Sequence, residues 1–77
     1  MDKIELLNRA LAAFFRAQGE SAFFQQPDSA LSGVRMLAGL KYVVLANKGG
    51  TLAVYRVKPN GALRRMRRPP ARLTQEA

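Results

Sequence analysis

The sequence predicts an α+β domain, with an N-terminal amphipathic helix followed by an antiparallel β-meander of three strands, or four if the segment before it joins. Three observations carry this. Apolar residues recur at helical spacing through the first eighteen positions, and two runs rich in β-branched and aromatic residues follow residue 40, each bounded by a glycine-bearing turn. The 48% apolar and 23% charged composition over 77 residues is that of one small globular domain.

Asp2 and Glu5 stand at capping-box spacing, where each side chain can satisfy a backbone amide at the open end of a helix. Ile4, Leu7, Leu11 and Phe14 then form an apolar stripe, widened by Leu6, Ala10, Ala13, Phe15 and Ala17, with Lys3, Asn8, Arg9 and Arg16 mostly opposite. Gly19 is a natural stop, so a helix is expected over residues 2–18. Residues 22–25, AFFQ, read as a short strand before a turn at Pro27 and Asp28. Residues 28–39 admit two readings. As a helix, Ala30, Leu31, Val34, Leu37 and Ala38 share a face; as a strand, VRML bends at Gly39 into the next run. Gly33 in a helix interior would cost about 1 kcal/mol, which favours the strand.

KYVVLAN (41–47) and TLAVYRVK (51–58) make a hairpin around Lys48-Gly49-Gly50. The turn Lys58-Pro59-Asn60-Gly61 suits a type I turn with a bulge and leads into ALRRMRR, which Pro69 and Pro70 end. This turn predicts Val57 opposite Leu63, Arg56 opposite Arg64, Val54 opposite Met66 and Leu52 opposite Arg68, so each face mixes arginine with apolar residues. The compact domain is expected over residues 1–70, with 71–77 a frayed tail.

The run YVVLANKGGTLAVYRVKPNGALRRM, from Tyr42 to Met66, resembles the C-terminal signature of small uncharacterised bacterial proteins: YVVL, then LAVYRV, then a basic last strand. The resemblance implies the meander and a bacterial source. It carries over no functional residue.

Charge is the most informative quantity. Residues 1–28 hold three basic and four acidic side chains, whereas residues 29–75 hold ten basic ones and no acid, so the net +8 belongs to the second half. Such asymmetry points to a polyanionic partner. The first expectation is therefore a nucleic-acid binder using Arg56, Lys58, Arg64, Arg65, Arg67, Arg68 and Arg72, helped by Lys41 and Arg35. Tyr42 and Tyr55 are candidates for stacking on bases. No zinc finger or aromatic RNA-binding signature accompanies them, and a winged-helix reading lacks its middle helix.

The second expectation is a protein-interaction module, an adaptor or inhibitor of the kind mobile elements encode, with Phe23 and Phe24 as contacts because adjacent strand residues cannot both point inward. A chain this short buries only about 60% of its unfolded surface, which keeps a homodimer open. An enzyme is not expected. With no histidine or cysteine, the common general bases and nucleophiles are missing, and the five carboxylates show no paired spacing. No cofactor or metal is expected. The apolar run 10–15 is too short for an export signal or a membrane span, so the expected location is cytoplasmic.

Overall fold

The structure, a computed structural model, describes residues 3–19, 26–28 and 30–74. In these, helix α1 (Lys3–Gln18) precedes four strands, β1 (Gly33–Leu37), β2 (Leu40–Asn47), β3 (Gly50–Val57) and β4 (Leu63–Arg65), and a short C-terminal helix, α2 (Ala71–Thr74). The strands form one antiparallel sheet in the order β1-β2-β3-β4. The expected α+β meander is thus present with its fourth strand, and the ambiguous segment before it is a strand. The expected AFFQ strand, with Phe23 and Phe24, and the Asp2 cap lie outside the described residues.

Leu6, Ala10 and Phe14, spaced four residues apart, are the buried line of α1. They pack on Val43, Leu45, Ala53 and Tyr55, which alternate along β2 and β3 to face the helix. Leu7, Leu11 and Ala13 border this contact, while Ile4 is 70% exposed. The helix is therefore rotated relative to the expected stripe of Ile4, Leu7, Leu11 and Phe14, so that Leu6 and Ala10 face the sheet. Ala10 stands where the helix meets the sheet, and its small side chain permits close approach.

All residues from Tyr42 to Ala46 are buried, so both faces of β2 are covered. On the face away from α1, Leu73 packs with Tyr42, Val44 and Val54, bordered by Leu37 and Met66. Residues 71–74, expected as frayed tail, instead form a helical turn whose Leu73 is only 9% exposed. Apolar surface that α1 cannot reach is what draws this segment back onto the sheet.

The hairpins follow from turn chemistry. Ala38 and Gly39 connect β1 to β2 with φ of 52° and 77°, the positive pair a tight hairpin requires. In the second turn Gly61 takes φ 86°, its amide donates to the Lys58 carbonyl at 2.8 Å, and the Lys58 amide donates to Ala62 at 2.8 Å. Before β1, the Asp28 carboxylate accepts from the Ala30 amide at 2.8 Å. The Asp28 amide and the Ser32 hydroxyl both donate to the Ala46 carbonyl, and the Ser32 oxygen accepts from the Ala46 amide at 2.9 Å. This loop extends the ladder beside the end of β2, with Ser32 standing in for a strand partner.

Candidate nucleic-acid interface

Strand pairing gathers arginines that the sequence scatters. Arg35 pairs with Tyr42, Tyr42 with Arg56, and Arg56 with Arg64, so one row crosses all four strands. Directly paired residues lie on the same side of a sheet, and this side faces away from α1. Arg35, Arg56 and Arg64 are exposed. With neighbouring strands about 4.8 Å apart, the row from Arg35 to Arg64 is about 14 Å wide.

Arg56 and Arg64 stand directly opposite each other. The Lys58 amide bonds to Ala62 and the Met66 amide to Val54 at 2.9 Å, which places Arg56 and Arg64 midway as a hydrogen-bonded pair with Cα atoms about 5.5 Å apart. Like charges so placed repel. Residues 29–75 contain no acid to relieve them.

The other expected residues divide. Lys58 stands two positions past Arg56 at the start of the turn, and is exposed. Arg67 and Arg68 occupy a bend after β4, and Arg72 is carried on α2, which Leu73 anchors to the arginine side of the sheet. Arg68 does not pair with Leu52 as expected from the turn register. β4 ends at Arg65, and β3 carries a register shift opposite Leu45 and Ala46 that makes Leu52 an extra residue, so the count from the turn does not carry on to Arg68.

Arg65 lies on the opposite side. Its guanidinium sits 5.9 Å from the Phe14 ring centroid and donates to Gln18 at 3.1 Å, so this arginine fastens β4 to the helix. Lys41 pairs with Met36 on that same side and is half-buried. Both stand apart from the row.

Tyr42 and Tyr55 do not form a stacking platform. They are 5% and 4% exposed, Tyr42 beneath Leu73 and Tyr55 against the helix. Burial raises the Tyr55 hydroxyl above its usual pKa, with the positive charge of Arg65 opposing the shift in part.

Beside the Arg56 and Arg64 pair lies an open groove of about 380 Å³, lined by Arg56, Arg64, Arg65, Met66 and Arg67. Sequence reasoning noticed the arginines of this region but not the row, because Arg35 joins it only through the β1-β2 hairpin. The signal was there: Arg35 and Tyr42 are symmetric about Ala38-Gly39, so reading that dipeptide as a two-residue turn pairs them. No family model matches the chain, and comparison with curated proteins and with solved structures finds no match either. No helix among the described residues is long and apolar enough to cross a membrane.

Proposed function

We propose that this is a small nucleic-acid-binding protein that grips the phosphate backbone through the sheet face away from α1. The observation that carries the reading is the row of Arg35, Arg56 and Arg64 across an acid-free sheet. Lys58, Arg67, Arg68 and Arg72 extend the basic surface at its margin. A width of about 14 Å equals the axial rise of about four base pairs of a duplex. Arg65 is assigned to the fold rather than to the interface, since its guanidinium is engaged with Phe14 and Gln18.

Burial of both tyrosines argues for contacts to phosphate and sugar rather than to bases, and hence for binding with little sequence preference. The proposal is of a binding protein acting in a bacterial cytoplasm, not of an enzyme.

Fluorescence anisotropy with single-stranded DNA, duplex DNA and RNA across a salt series tests it. The expected result is binding whose log K falls with log salt at a slope of several units. Replacing Arg56, Arg64, Arg67 and Arg68 with glutamine should remove most of that slope while circular dichroism stays unchanged. Absence of binding at low salt would overturn the reading.

A second reading, a protein partner, is favoured by one observation. Met36, 63% exposed, and Leu40 border a groove of about 370 Å³ with Leu6 and Val57, and Lys41, Arg56 and Lys58 line the same groove. An acidic partner segment with an apolar side chain fits that chemistry. Loss of partner capture in a Met36→Ser, Leu40→Ser variant that still binds oligonucleotide would separate the two readings.

A further inference from the structure

The Arg56 and Arg64 pair poses a physical question, because two guanidinium-bearing strands are brought together and residues 29–75 offer no acid to offset them. Cross-strand like charges are unfavourable, and here a third arginine, Arg67, closes the same groove with Met66. Arg65 borders the groove too, but its guanidinium is held on the helix side by Gln18 and Phe14, which leaves three charges for the groove itself. At about 380 Å³ and open to solvent, the groove has room for a tetrahedral anion with part of its hydration shell. Arginine presents paired donors in a rigid fork that matches phosphoryl oxygens two at a time.

We propose that the groove between Arg56, Arg64 and Arg67 is a discrete site for one phosphoryl group. The site deepens the nucleic-acid reading and rests on the same face: it is the anchoring point, while Arg35, Lys58, Arg68 and Arg72 supply the surrounding field. Its chemistry is that of a phosphate monoester or diester, whether at the end of a nucleic-acid strand or within it.

The test follows the Nε–Hε resonances of the arginines in the intact protein during titration with inorganic phosphate, against sodium chloride at matched ionic strength. Saturable shifts at Arg56, Arg64 and Arg67 with phosphate alone are expected. Arg64→Gln should weaken phosphate binding by about tenfold, the loss expected on removing a charge-assisted hydrogen-bond partner. Arg16→Gln, on the exposed side of α1, should leave it unchanged. Competition by a nucleoside 5′-monophosphate or by a dinucleoside monophosphate then tells a terminal phosphate from an internal diester; competition by neither overturns the site.

Shifts spread evenly over all exposed arginines, or reproduced by chloride, would likewise overturn it and leave only a diffuse field. The two proposals fail separately. Salt-sensitive oligonucleotide binding with a flat phosphate response sinks the discrete site alone, whereas a saturable phosphate response without oligonucleotide binding sinks the nucleic-acid reading.

Discussion

Ser32 and Tyr55 show how single side chains are committed by their surroundings. The Ser32 hydroxyl both donates to the Ala46 carbonyl and accepts from the Ala46 amide, at a point where no strand partner is supplied. Ser32→Ala should therefore cost about 1–3 kcal/mol, the usual penalty for leaving a partly buried polar group unmatched, measurable by urea denaturation. Tyr55 is held neutral by burial, so its folded pKa lies above its unfolded one. In the interval between them the folded state holds the proton and the unfolded state does not. The contribution to stability is thus full below about pH 10, the ordinary tyrosine value, and is lost as pH rises through the folded pKa. In a Tyr42→Phe background, spectrophotometric titration should show Tyr55 ionising above its ordinary range, and the unfolding midpoint should fall in step.

Hairpins and the C-terminal turn carry the next level of organisation. Ala38 occupies a left-handed conformation at φ 52°, which disfavours an L-residue with a Cβ, whereas asparagine is tolerated there before glycine. Ala38→Asn should accordingly stabilise by a few tenths to about 1 kcal/mol, read as a higher denaturation midpoint. Leu73 does for the second face of the sheet what Phe14 does for the first, though from a helix of four residues. Leu73→Ala should cost about 2–4 kcal/mol and expose the Tyr42, Val44 and Val54 surface, visible as faster amide exchange in β2 and β3. The same change would release Arg72 from the arginine face and weaken oligonucleotide binding modestly.

For the molecule entire, the separation of charge along the chain becomes a separation in space. A net +8 with ten basic side chains in residues 29–75 makes the sheet and its C-terminal extension repel themselves, while the first 28 residues hold four of the five acids. Screening should relieve this repulsion, so melting temperature should rise as salt increases from about 10 to 150 mM, over which the Debye length falls from about 30 to 8 Å. A bound polyanion should raise it further at fixed ionic strength, because ligand that binds only the folded state stabilises it by mass action. A melting temperature insensitive to salt would mean that the arginines are too dispersed to form the field proposed for them.

The legibility of this fold tracks the range over which each determinant acts. Helix α1, the two long strands and the Lys58–Gly61 turn depend on spacing and on φ preferences within a few residues, and these stand openly in the chain. Even the Arg56 and Arg64 pairing could be counted from that turn. The division of labour among the arginines could not: alternation along the strand puts Arg64 and Arg65 on opposite faces, but only the packing of α1 decides which face it covers, and so that Arg65 is the one to meet Phe14. The return of Leu73 and the burial of both tyrosines likewise depend on contacts between distant segments. Local patterns set which elements form and where the charge lies along the chain. Which side chains remain accessible follows from covering a sheet on two faces with one long helix and one short turn, a balance of buried area that no single segment contains.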